Sequence, residues 1–77
     1  MKNVHSKLRL LIAAKEMKER RRLSLRTIEQ ESGTNLTTVQ RLMNDTIKRI
    51  SLDELSALCR YLECDVGDIL SMQEDAA

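Results

Sequence analysis

Residues 25 to 44 read LRTIEQESGTNLTTVQRLMN, and the way this stretch divides at Gly33 decides the fold. Leu25 and Ile28 share one face of a first helix. Val39, Leu42 and Met43 share one face of a second, each three or four residues apart as a half-buried helix requires. Gly33 can take the left-handed conformation that ends a helix, and Asn35 can cap the next by accepting a hydrogen bond from a backbone amide two or three residues on. Ser24 offers the same service to the helix opening at Leu25. Two short helices about a tight turn have the layout of a helix-turn-helix.

The outward face of the second helix carries the functional signal. At about 100° per residue, Thr37, Gln40, Arg41 and Asn44 lie on the arc opposite Val39, Leu42 and Met43. That arc bears hydroxyls, amides and a guanidinium but no carboxylate. An ordinary solvated face mixes acids with bases, whereas this one suits a polyanion with base edges to read.

Outward from this stretch, the apolar residues continue at helical spacing. Leu8, Leu11 and Ile12 predict a first helix from Ser6 to Met17, with Met17 closing its end, after a loose lead-in MKNVH in which His5 is exposed. Ser51-Leu52-Asp53-Glu54 is a capping box, with Ser51 capping the Glu54 amide and the Glu54 side chain reaching back to the Ser51 amide. Leu52, Leu55, Leu58, Cys59 and Leu62 follow as the buried stripe of a fourth helix, with Tyr61 at its edge and its hydroxyl in water. Asp65 predicts the cap of a last short helix that buries Val66, Ile69 and Leu70. Ile47 and Ile50 pin the intervening loop to the core, and the final QEDAA is expected to fray.

With no proline, two glycines and one tyrosine as the sole aromatic, the 77 residues have the composition of one small helical domain. A core of this size is near the limit at which a chain holds without a disulfide, a metal or a second subunit. Cys59 and Cys64 lack the second pair of ligands that a zinc site needs, and their expected role is packing in a reducing compartment. No segment is apolar enough to span a membrane, and the charged start is unlike a secretory signal, so a cytoplasmic location is expected. One histidine, no nucleophile set beside a base, no glycine-rich phosphate loop and no metal spacing argue against an enzyme and against a cofactor.

The net charge of +1 conceals a dipole. Residues 1 to 50 hold twelve Lys and Arg against five Asp and Glu, whereas residues 51 to 77 hold one Arg against seven acids. Such a chain presents a cationic half to a polyanion and turns an acidic half away. Arg20, Arg21 and Arg22 precede the two-helix stretch and Lys48 and Arg49 follow it. The three adjacent guanidiniums can grip phosphates or form an ordinary solvated run, and the two loop cations lie where they would position a flanking backbone without reading sequence.

The segments LSLRTIEQESGTNLTTVQRLMND, residues 23 to 45, and ISLDELSALCRYLECDVGDIL, residues 50 to 70, resemble the Cro/cI-type (XRE-like) helix-turn-helix family of small prokaryotic and phage regulators. That resemblance implies an all-α, compact five-helix lambda-repressor-like domain, with the helix-turn-helix in helices 2 and 3. Residues 1–77 form one DNA-binding domain in this reading, with its core at 7–72. Matched positions imply that Leu36, Thr37, Gln40 and Arg41 enter the major groove, that Lys48 and Arg49 touch phosphates, and that Thr38 and Asn44 lie near the backbone. The chain departs from the family pattern at Glu29, where a small alanine is usual, and at Ser32 and Thr34, where apolar residues are more usual. A carboxylate placed between two helices needs a partner. Either the two helices are slightly rotated or Arg22 or Arg26 meets it.

The expected function is that of a sequence-specific binder of double-stranded DNA, a homodimer on a palindromic operator that represses transcription by occluding a promoter. No small-molecule ligand and no membrane partner is expected. A protein-binding module on the same fold, such as an antitoxin or an adaptor docking through the acidic half, is the alternative.

Overall fold

The computed structural model of the chain describes residues 1–75. Its elements are β1 (Lys2–Ser6), α1 (Leu8–Glu19), α2 (Leu25–Ser32), α3 (Leu36–Met43), α4 (Leu52–Leu62), α5 (Val66–Ile69) and β2 (Leu70–Glu74). The five expected helices are present, with the helix-turn-helix in α2 and α3. Each contributes aliphatic side chains to one core: Leu8 and Ile12 from α1, Ile28 from α2, Val39 and Leu42 from α3, Leu55 and Leu58 from α4 and Ile69 from α5, with Leu23 from the α1–α2 connection. The half-buried Ile47 and Ile50 pack against this core and hold the α3–α4 loop to it. Cys59 and Cys64 are free thiols packed on the same core, and burial is the main cause that pushes the Cys64 thiol above its ordinary range.

The fold is not all-α. β1 and β2 pair antiparallel, with Lys2 opposite Glu74, Val4 opposite Met72 and Ser6 opposite Leu70. The lead-in MKNVH and the start of the QEDAA tail therefore form a ribbon where loose ends were expected; Ala76 and Ala77 lie outside the described residues. A lone two-stranded ribbon is marginal in water. Here it is anchored to the helices at its base, where the Lys7 amide donates to the Ile69 carbonyl at 2.6 Å.

Several local expectations shift for related reasons. α1 starts at Leu8, because the ribbon claims Ser6, and it runs past Met17 to Glu19, where Arg20 ends it in a left-handed conformation (φ 55°). Met17 is 81% exposed and closes nothing. Leu52 and Val66 are exposed as well, since each stands at the first position of its helix, outside the layer that covers the core. At α4 the Ser51 hydroxyl does accept from the Glu54 amide, but the Glu54 carboxylate meets the Ser51 hydroxyl and not its amide.

Tyr61 does not leave its hydroxyl in water. It donates to the Glu31 carboxylate at 2.7 Å, and burial with that bond raises its pKa. Glu31 in turn accepts both branches of the Arg21 guanidinium at 2.8 Å, and this pairing, aided by Tyr61, lowers its pKa to about 2. Arg21 also meets Glu19, which pairs with Lys15, and the Lys15 ammonium lies 4.5 Å from the Tyr61 ring centroid. The network fastens α1, α2 and α4 to one another across the side of the domain.

Candidate nucleic-acid interface

Both ends of α3 are held by bonds that its own sequence starts and distant residues complete. At the N-terminus, Asn35 accepts from the Thr37 amide at 2.8 Å, as its cap position predicts. Gly33 takes the left-handed conformation (φ 77°) that ends α2, which no residue with a Cβ adopts as cheaply. Thr34, beside it, is buried, and its hydroxyl has no hydrogen-bond partner among the described residues.

Glu29 finds its partner in the backbone, not in an arginine. Its carboxylate accepts from the Leu36 amide at 3.0 Å, one of the donors that the first turn of α3 leaves without a partner inside the helix. Neither Arg22 nor Arg26 forms an ion pair with it among the described residues. The bond to the Leu36 amide places a negative group at the positive end of α3. Glu29→Ala is expected to lower the free energy of unfolding by about 1 kcal/mol, in the range of a lost helix cap, whereas Glu29→Gln keeps an oxygen acceptor and most of the stability. Urea denaturation of the two variants distinguishes this from a carboxylate that is merely accommodated, for which the alanine variant would match or exceed the parent.

At the C-terminus the Thr46 amide donates to the Arg41 carbonyl at 2.9 Å and the Asp45 amide to the Leu42 carbonyl at 3.2 Å, with Asp45 left-handed (φ 56°) between them. This is a Schellman ending with aspartate where glycine is usual. Arg9 completes it from α1, donating through Nε and Nη2 to the Met43 carbonyl at 3.2 and 3.1 Å. Asp45 is restrained from β1: its carboxylate accepts from the Ser6 amide at 2.8 Å and meets His5 Nδ1 at 2.6 Å. Arg9 was not singled out from the sequence and His5 was given no role there, and no local pattern marks these bonds, because the partners lie on other elements. His5 is half-buried and not the exposed residue that was expected.

The helix so held turns Thr37, Gln40, Arg41 and Asn44 to solvent, while Val39 and Leu42 are buried beneath them. Leu36 and Thr38 are half-buried. Arg41 shares one surface depression with Thr46, Lys48 and Arg49, so the outward face of α3 and the cations of the following loop are contiguous. Together they form a surface of amides, hydroxyls and three cationic groups, able to donate to phosphate oxygens and to offer forked donors to base edges.

The Cro/C1-type HTH DNA-binding domain family matches residues 7–75. The chain belongs to that family. It is 32% identical over 66 residues to the protein named "Uncharacterized HTH-type transcriptional regulator YozG" from Bacillus subtilis (strain 168), a match that covers 86% of this chain and 79% of the relative. No solved structure matches. The Cro/C1-type family is a class of DNA-binding domain and not of enzymes, and among the described residues no helix is long and apolar enough to cross a membrane.

Within this Cro/C1-type domain the arginine run is the part that the structure separates. Arg20, Arg21 and Arg22 gather about Ala13, Glu16 and Met17, in a different depression from that of Arg41. The planar fork of Arg21 is occupied by Glu31 and Glu19, and Arg20 serves as the left-handed end of α1. Neighbours that look equivalent in sequence thus differ, and Arg21 belongs to the scaffold.

Proposed function

We propose that this chain is a sequence-specific double-stranded DNA-binding transcriptional regulator, in which α3 lies in the major groove. The observation that carries the proposal is the exposed, carboxylate-free arc of Thr37, Gln40, Arg41 and Asn44, continuous with Lys48 and Arg49. Family membership supports DNA binding, and the printed name of the Bacillus subtilis relative supports a role in transcription. Arg41 has the geometry to pair with O6 and N7 of a guanine, Gln40 with N6 and N7 of an adenine, and Thr37 or the half-buried Leu36 to touch a thymine methyl. Lys48, Arg49, Asn44 and Thr38 hold the flanking phosphates, with Arg20 and Arg22 at the margin.

The proposed assembly is a homodimer on a palindromic operator, reading two half-sites about 34–36 Å apart. Repression by occlusion of a promoter is the proposed action of this domain. Binding to a labelled duplex at several salt concentrations tests the electrostatic half of the proposal. Lys48→Ala and Arg49→Ala are each expected to weaken binding to every sequence alike and to reduce the slope of log K against log salt by about 1. A loss confined to one sequence, or a slope unchanged in both variants, contradicts the placement of these two side chains on phosphates.

A further inference from the structure

We infer that His5 and Asp45 are positioning residues for DNA binding, the ribbon of β1 and β2 acting through His5 to hold the exit of α3 and the loop that carries Lys48 and Arg49. The inference rests on the DNA-binding reading above and adds to it a part of the molecule remote from the reading helix in sequence. Its basis is the geometry about His5. Nδ1 meets the Asp45 carboxylate at 2.6 Å, and Nε2 meets the carboxylate of Asp75, which also accepts from the Asn3 side chain. A neutral imidazole has one N–H and could serve one of these acids; the other would face a lone pair. The imidazolium donates to both. The two carboxylates in turn favour the imidazolium, so the His5 pKa is raised above its ordinary value, chiefly by the bond to Asp45 and then by that to Asp75.

What the imidazolium secures is the residue on which the α3 ending turns. Asp45 is left-handed, and an L-residue other than glycine keeps that conformation at some cost, which its side-chain bonds to His5 and the Ser6 amide offset. His5, Asp45, Asp75, Lys48 and Arg49 line one groove between the ribbon and the loop. The other charged groups nearby are the N-terminal ammonium, which pairs with Glu74; Lys2, in register with Glu74 on the ribbon; and Arg9, whose guanidinium is held by the Met43 carbonyl. Of these, Lys48 already acts on Asp45 through space, lowering its pKa alongside the larger effects of His5 and Ser6. When His5 loses its proton, Asp45 loses its cation and draws on Lys48, the side chain that DNA needs.

The sign follows from the direction of the shift. A histidine whose pKa is raised by folding contributes fully below its unfolded value, and the contribution is lost as pH rises through the raised folded value. Asp45 and Asp75 are both held below the usual carboxylate range, so the clasp survives mild acid and opens on the alkaline side.

Two measurements on the full chain test this. His5 is the chain's one histidine, so its ring proton can be followed by NMR without ambiguity from about pH 5.5 to about pH 9, the range across which a histidine titrates. The expected result is a midpoint above about 6.5, shared by the amides of Ser6 and of Thr46 to Arg49. Affinity for a selected duplex is then expected to fall about three- to tenfold as pH rises through that midpoint, the scale of one displaced contact. His5→Gln should give a flat profile near the alkaline level of the parent, and Asp45→Asn, which tolerates the left-handed conformation and leaves no carboxylate to draw on Lys48, should also lose the pH dependence. An ordinary His5 midpoint without co-titration of the loop amides overturns the inference, as do parent and His5→Gln profiles that run parallel. Absence of duplex binding by the parent at every pH overturns the DNA-binding reading and the role of His5 with it. The NMR titration, which needs no DNA, tells that failure from an absent clasp.

Discussion

Leu58→Ala is expected to lower the free energy of unfolding by about 2–5 kcal/mol, the range for truncating a fully buried leucine. Leu58 has no exposed surface and sits at the centre of α4, where the core residues of the other helices converge. At about 0.05–0.15 kcal/mol per residue a 77-residue chain commands roughly 4–12 kcal/mol in all, so the loss removes a large share and can leave the variant partly unfolded at ambient temperature. The same substitution six residues earlier, Leu52→Ala, is the internal control. Leu52 is 79% exposed, and its truncation should stay within about 0.5 kcal/mol. Urea denaturation followed by circular dichroism reads both. Equal losses at the two positions would show that α4 packs in a different rotation.

Arg41→Ala is expected to cost about 1–3 kcal/mol on the preferred duplex and to relax the preference at one base pair of each half-site. Its side chain is exposed, and no ion pair occupies it among the described residues, in contrast to Arg21. The guanidinium is free to present its fork to a base edge, and stability should change little when it is removed. A uniform loss across all sequences would move Arg41 to the phosphate-binding class with Lys48 and Arg49. An unchanged affinity would remove α3 from the role of reading helix. Competition binding with duplexes altered one base pair at a time separates the three outcomes.

The parts of this fold that were legible in the sequence are those settled within a few residues. The caps at Ser24, Asn35 and Ser51, the left-handed Gly33 and the spacing of Val39 and Leu42 are local choices, and the structure has each as its residues require. The outward arc of α3 followed from the same spacing. What was not legible depends on pairings across the chain. β1 and β2 read KNVHS and LSMQE, with little β-branched content and no turn between them, and they become strands because the helices bring the two ends of the chain together.

The fixing of α3 escaped prediction for the same reason. Arg9 and the Met43 carbonyl are 34 residues apart, and His5 and Asp45 are 40 apart, so neither bond leaves a periodic trace. Glu29 was recognised as needing a partner, but the expected arginine proved to be a backbone amide of the next helix, a donor that carries no sequence signature. Arg21 shows the converse. A run of three arginines suggests one common role, and the structure assigns its middle member to Glu31 of α2 and Glu19 of α1.

Selection from a pool of random DNA duplexes, carried out with the full chain and repeated with Arg41→Ala, tests most directly whether α3 reads DNA. The predicted result is enrichment of a palindromic consensus with half-sites one helical turn apart, about 10–10.5 base pairs centre to centre, together with the loss of one conserved base pair per half-site in the variant. No enrichment, or the same consensus from both proteins, would contradict it.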